Sequence, residues 1–267
     1  MGWLLGWLEA RAPCGERARH VYGMTVALGL PLVWGLVGRC LTTVAPWWVE
    51  AVALKSTFAG RSLLEASRRV EQDLGVGDVD RARVNLRWLV SRRTDNLDRG
   101  LIAAAAIESL AENFVDSWLA PLAAYSVFGL GGALAYRAAN TADAMWGYRS
   151  ADYEWLGKGA ARLDDVLNWL PARLGGVLLV MAGPRARAAL AMWRRDAYLT
   201  ASPNAGHSMA TVAGHLGVRL EKSGHYVLHP DGRVPLPSDL GAARRLVRRA
   251  MVLAAALCLI ARKMARP

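Results

Sequence analysis

Cysteine is scarce: Cys14, Cys40 and Cys258 are the three in 267 residues. Their spacing matches no metal-ligand pattern, and Cys40 and Cys258 lie in apolar runs, so neither disulfides nor a zinc site is expected. Internal repeats and low-complexity segments are missing, which leaves no basis for a repeat array or a long disordered tail. No small-residue cleavage site follows the first apolar stretch, so the N-terminus does not read as a cleavable signal peptide. Lys55-Ser56-Thr57 has no glycine loop before it and is not a P-loop. No Ser-His-Asp or Cys-His grouping stands out. His207, His215, His225 and His229 fit no metal spacing and are expected on the surface or in loops.

What the sequence does have is apolar mass. Hydrophobic residues make up 54% and charged residues 21%, while the mean hydropathy is +0.17. These figures are compatible because the two kinds of residue occupy separate blocks. Val21 to Gly38 carries no charge, and Ser117 to Tyr136 is a 20-residue uncharged run, about enough to cross a bilayer. Val166 to Gly183 is interrupted only by Arg173, and Ala250 to Ala261 is short and flanked by Arg248, Arg249 and Arg262. The first two are expected spans; the last two read equally well as buried core helices. Several of the eleven Trp residues (Trp3, Trp7, Trp47, Trp48, Trp118, Trp155 and Trp169) lie near block ends, where indole favours the bilayer boundary.

The formal net charge is +11, but the basic residues are not interleaved with aromatics, so nucleic acid is not an expected partner. Arginines facing anionic lipid or anionic substrates account for it more simply. A short amphipathic helix over Met1 to Glu9 and a basic loop with Arg11, Arg17 and Arg19 predict a cytoplasmic N-terminus.

Further along, a helix from about Trp47 runs on past Lys55 and becomes charged by Arg68 and Arg69. Gly75, Gly77 and Asp78 form a turn, with Asp78 capping a helix over Val79 to Val90. A charged loop at Ser91 to Asp95 follows, and Asp95 or Asn96 is expected to cap the next helix. Gly129, Gly131 and Gly132 allow a broken or re-entrant pair. Pro184 ends the third block, Arg185 to Leu199 is amphipathic, Ser202 to Gly206 is a turn, Gly232 to Pro237 is a loop or short strand, and a helix closes the chain. The expected fold is all-α: a polytopic membrane helical bundle with amphipathic cytoplasmic helices and broken or re-entrant segments, in one domain over 1–267.

Three segments could carry chemistry. Glu108, Glu112 and Asp116 recur every four residues, so a helix stacks them on one face, with Asn113 between. Carboxylates among Ala, Ile, Leu and Phe need cations, either magnesium on a polyphosphate or arginines; a structural Arg–Glu network is the bland reading. In the second segment Arg137, Asn140, Thr141, Asp143 and Arg149 set both charge signs beside an amide. That suits a phosphorylated or zwitterionic ligand, or a solvated loop with a local ion pair. In the third, Arg162, Asp164, Asp165 and Asn168 border an apolar helix; the twin aspartates can cap its N-terminus or complete a magnesium site. Lys55 and Arg61 could bind phosphate or carboxylate.

Five stretches in order, LKSTFAGRSL (Leu54 to Leu63), ESLAENFVD (Glu108 to Asp116), NTADAMWGYR (Asn140 to Arg149), ARLDDVLNWLPAR (Ala161 to Arg173) and SPNAG (Ser202 to Gly206), resemble the CobD/CbiB family, the adenosylcobinamide-phosphate synthases of cobalamin assembly. Phe114 stands where that family commonly has a small polar residue, and Trp146 where it has an aliphatic one. The resemblance implies amide formation between a propionate of adenosylcobyric acid and aminopropanol phosphate or ethanolamine phosphate, with ATP and magnesium. It implies Glu112, Asp116, Asp143, Asp164 and Asp165 as catalytic groups, with Glu108, Glu112, Asp116 and Asp165 near the metal. Lys55, Arg61, Asn113, Asn140, Arg149, Arg162, Asn168 and Asn204 would bind substrates. All are expected to meet in one pocket at the lipid boundary. The implied setting is the cell membrane, with several passes and the active site facing the cytoplasm; the implied partners are the bilayer, the corrinoid, nucleotide and amino-alcohol phosphate, and either a second copy or other cobalamin-assembly enzymes. The alternative is a transporter or AmpE-like sensor that binds an anionic ligand without turnover.

Overall fold

The computed structural model describes residues 1–148 and 150–264. In chain order the helices begin with α1 (Gly2–Glu9), α2 (Glu16–Val44), α3 (Trp47–Lys55), α4 (Gly60–Gly75), α5 (Val79–Leu86) and α6 (Arg99–Phe114). A π turn (Val115–Leu119) joins α6 to α7 (Ala120–Trp146), and α8 (Lys158–Leu167), α9 (Trp169–Ala182), α10 (Ala186–Asp196) and α11 (Ala205–Leu216) follow. A small antiparallel pair, β1 (Leu220–Lys222) and β2 (Tyr226–Leu228), precedes α12 (Pro237–Met264). The protein is a helical membrane protein. Two of its helical runs, Glu16–Val44 and Arg99–Trp146, are long and apolar enough to cross a bilayer, and α8 with α9 makes a third if that broken pair counts as one span.

The fold divides into two compact units. The first holds Met1–Phe58, Ala120–Asn168 and the chain from Cys258; the second holds Ala59–Leu119 and Trp169–Leu257.

In the first unit α2 crosses α7 at glycines. A Cβ on Gly38 would lie 2.7 Å from the Gly131 Cα, and one on Gly131 would lie 2.7 Å from the Gly35 carbonyl oxygen. Small residues at a crossing let membrane helices touch backbone to backbone. The outer side of α2 is apolar and uncovered: Leu32 and Leu36 are 68% and 67% exposed. A soluble protein would bury such a row, and lipid need not. Trp3 and Trp47 are exposed in the same unit, which suits indoles at the bilayer boundary. The glycine run breaks α7 at one point, Gly129, whose φ of 67° and ψ of −159° only glycine adopts readily.

In the second unit α6 is the central element, and every residue from Ile102 to Ala111 is buried. Four consecutive alanines, Ala103 to Ala106, keep this helix thin, and α4, α5, α11 and β1 pack around it.

Several expectations are corrected. Arg17 and Arg19 lie in the first turns of α2, not in a loop. The helix from Trp47 ends at Lys55, because the Ser56 and Thr57 hydroxyls bond back to the Ala53 and Leu54 carbonyls and the chain bends before α4. Asp78 does cap α5, accepting from the Arg81 N–H at 2.9 Å, but that helix stops at Leu86. Asp98, not Asp95 or Asn96, caps α6, accepting from Leu101 N–H at 2.8 Å. Asp95 is held by Arg87. Ser202–Gly206 is a turn only as far as Asn204, since α11 begins at Ala205. His207 and His215 are buried on α11, against the surface reading; only His225 and His229 lie outside helices.

Candidate functional site: two buried polar networks

In the first unit the polar centre is Asp164, which is buried in the last turn of α8. Asp164 is therefore no N-terminal cap. Oδ1 accepts from the Asn140 amide at 3.2 Å and Oδ2 from the Asn168 amide at 2.9 Å. Asn168 in turn accepts from the Tyr136 hydroxyl at 2.9 Å, and Asn140 from Arg137 at 3.2 Å. Two carboxylate oxygens are thus met by two amides, and each amide is fixed by a further donor. Such a chain orders its members and leaves little rotational freedom. Asp165 and Asp143 are half-buried. A Cβ on Gly147 would collide with the Asp143 carboxylate, so glycine there makes room for it. Lys55 closes α3, where a cation suits the helix C-terminus, and Lys55 and Arg162 are exposed. Arg149 lies outside the described residues.

In the second unit the acidic ladder is real for two rungs. Glu108 and Glu112 share the α-helix, whereas Asp116 falls in the π turn that begins after Phe114. The wider turn changes the register, so Asp116 does not simply continue the row. The Ser117 carbonyl, whose partner four residues on would be Pro121 with no N–H to give, accepts instead from Ala59 N–H at 3.1 Å. Single π turns inside helices recur at functional sites. Glu108 is bound to Arg92 at 2.7 Å, both largely buried, and its Oε1 is sealed from water without a hydrogen-bond partner. The Tyr226 hydroxyl adjoins the same carboxylate and lies 3.9 Å from the Met209 sulfur. Burial first, and then Glu108 and Glu112, push the Tyr226 phenol well above its usual range, so it stays a neutral donor. Asn113 donates to the Ser109 carbonyl at 3.0 Å and borders a cavity of about 350 Å³ with Ser62, Arg69, Trp88 and Ser117. Arg61, expected as a phosphate clamp, is exposed and paired with Glu65 at 2.8 Å.

Asn204 is buried beside Arg173, whose Nη1 donates to the Asn204 amide oxygen at 3.4 Å and to the Trp169 carbonyl at 2.7 Å. Close in sequence sits His207, expected at the surface and outside the candidate site. Trp193 Nε1–H donates to His207 Nδ1 at 2.7 Å, which puts the ring proton on Nε2, and that atom is buried without a partner. Burial, then the charge of Arg173, holds the His207 pKa below the ordinary imidazole range. Arg92, Tyr226 and Arg173 were likewise missed as members of these networks; Arg173 and His207 had a signal, the one closing ARLDDVLNWLPAR and the other directly after SPNAG.

Among the described residues no three of His, Cys, Asp and Glu converge as a metal-holding group. Magnesium usually takes one or two carboxylates and fills its shell with phosphate oxygens and water. A magnesium ion that arrived on a nucleotide would need only Glu112 and Asp116 from this chain.

Comparison with known proteins gives these networks a family. A protein named "probable cobalamin biosynthesis protein CobD" from Methanothrix thermoacetophila is 44% identical over 215 residues, 78% of this chain and 68% of its own. "Cobalamin biosynthesis protein CobD" from Dehalococcoides mccartyi is 44% identical over 247 residues, 88% of this chain and 80% of its own. A further "probable cobalamin biosynthesis protein CobD", from Methanococcus maripaludis, is 40% identical over 184 residues, 67% of this chain and 60% of its own. No solved structure matches. The family model described as CobD/Cbib protein matches residues 1–254, which takes in both networks, and the chain belongs to that family.

Proposed function

We propose that the protein joins an amino-alcohol phosphate to a propionate carboxylate of adenosylcobyric acid, at the expense of ATP. A carboxylate is a poor electrophile at neutral pH, so one of its oxygens first attacks the terminal phosphorus of ATP. ADP leaves and an acyl phosphate forms. The amine then adds to the carbonyl carbon, the C–O bond to phosphate breaks, and the amide, inorganic phosphate and a proton are released.

The observation that carries the reading is family membership across residues 1–254, in a chain whose apolar helices hold carboxylates within hydrogen-bond networks. Ionisable groups in apolar helices are costly and are usually retained for function. Glu112 and Asp116 would hold the magnesium that accompanies the nucleotide, an ion that neutralises phosphate charge. Asp143 and Asp165 orient the amine. Asp164 acts through others, holding Asn140 and Asn168 in place. Lys55, Arg149 and Arg162 take phosphate charge as it develops, and Asn113 and Asn204 orient substrates by their amides. The nucleotide and the phosphorylated amine are polar and cytoplasmic, so the reaction faces the cytoplasm.

The test is product mass from the detergent-extracted protein with ATP, magnesium, adenosylcobyric acid and aminopropanol phosphate. Glu112→Ala and Asp165→Ala should each lower the rate by about 100-fold or more while the protein still elutes and melts as folded. Undiminished turnover in both would remove these residues from the reaction. Ligand binding with no product would favour a carrier instead.

A further inference from the structure

Within the second unit a cavity of about 730 Å³ lies between the start of α4 and the middle of α12. Five arginines border it: Arg61, Arg68, Arg244, Arg245 and Arg248. Two are matched by carboxylates, Arg61 by Glu65 and Arg244 by Glu71. Arg68, Arg245 and Arg248 form no ion pair among the described residues, and Arg244 Nη1 is buried with no hydrogen-bond partner. The cavity therefore keeps a cationic surplus in Arg68, Arg245 and Arg248.

The other wall is apolar: Leu64, Trp118, Met251, Val252 and Ala255. The Trp118 indole N–H is spent on the Met251 carbonyl at 3.0 Å, so the ring offers only its hydrocarbon surface. Two glycines of the lining are packed closely against their neighbours. A Cβ on Gly60 would fall 2.8 Å from the Trp118 ring, and one on Gly241 2.7 Å from the Glu71 carboxylate. Along α12 the basic residues Arg244, Arg245, Arg248 and Arg249 give way at once to the uncharged stretch Ala250 to Ala261, in which Val252 is exposed.

We infer that this cavity holds an anionic phospholipid, its phosphate among the arginines and an acyl chain along Val252 and Ala255. Guanidinium forks match phosphate oxygens, and a basic pocket beside apolar helix surface is a lipid headgroup site by its chemistry. A nucleotide suits it less. Apart from the arginines and Glu65, which is taken by Arg61, the lining offers no side chain with a spare donor or acceptor for a base edge. Inorganic phosphate would leave the apolar wall unused. The inference does not depend on the ligation reaction.

The experiment is native mass spectrometry of the full chain in neutral detergent, titrated with palmitoyl-oleoyl phosphatidylglycerol or phosphatidylcholine. The wild type should retain the glycerol lipid about fivefold more than the choline lipid, by the attraction of unpaired arginines for net anionic headgroups. The double variant Arg245→Gln/Arg248→Gln should lose that preference and keep its choline-lipid retention. Millimolar ATP or inorganic phosphate should leave the lipid in place. Equal retention of the two lipids by the wild type overturns the inference whether or not the variant folds. So does undiminished preference in the variant, or displacement of the lipid by ATP or phosphate.

Discussion

A carboxylate sealed from water costs free energy unless donors surround it, and Asp164 has two, the amides of Asn140 and Asn168. Asp164→Ala strands both. Each buried polar group left unmet costs about 1–3 kcal/mol, so the variant should unfold at clearly lower temperature in detergent. An unchanged melting temperature would contradict the network. The buried histidines make a pH prediction of definite sign. His207 and His215 both have pKa values lowered, in each case chiefly by burial, so the unfolded chain binds protons that the folded chain refuses. Stability is then full above the unfolded imidazole value of about 6.5 and falls as pH drops below it, by at most about 1.4 kcal/mol per pH unit for each residue. Denaturant midpoints from pH 7.5 to 5.5 check this, and His207→Gln/His215→Gln should flatten the slope. At this scale residue types were readable in the sequence and partners were not. Arg92 reaches Glu108 from sixteen residues away and Tyr226 from far beyond, and no spacing rule encodes such contacts.

Among the elements, those governed by local chemistry were legible: the apolar run inside α2, the Asp78 cap and the glycine break in α7. The errors came where a local signal had a competitor. Ser56 and Thr57 ended a helix whose apolar pattern ran on, and a π turn altered a ladder that assumed 3.6 residues per turn. α11 was missed because a helix buried on nearly all sides shows no polar face to give it a period. The α2–α7 crossing yields a prediction that belongs to the pair. Gly38→Ala places a methyl against the Gly131 backbone, where neither atom can rotate away, and overpacking of this kind costs about 1–3 kcal/mol. Gly29→Ala, with open space at its Cβ, should melt like the wild type. Equal melting of both variants would mean that the helices do not cross there.

For the whole molecule, the sequence supplied the class and the family, through hydropathy blocks and five ordered stretches that fall within the match over residues 1–254. It did not supply the partition into two compact units, because each unit is assembled from separate segments of chain. The acidic ladder belongs to one unit and the twin aspartates to the other. The proposed reaction has ATP activate a carboxylate for attack by an amine. That reaction leaves an isotopic record. With ¹⁸O in the reacting carboxylate, turnover by the purified protein should yield adenosylcobinamide phosphate, ADP and inorganic phosphate bearing one labelled oxygen. Product formed without nucleotide, or phosphate free of label, would contradict the mechanism.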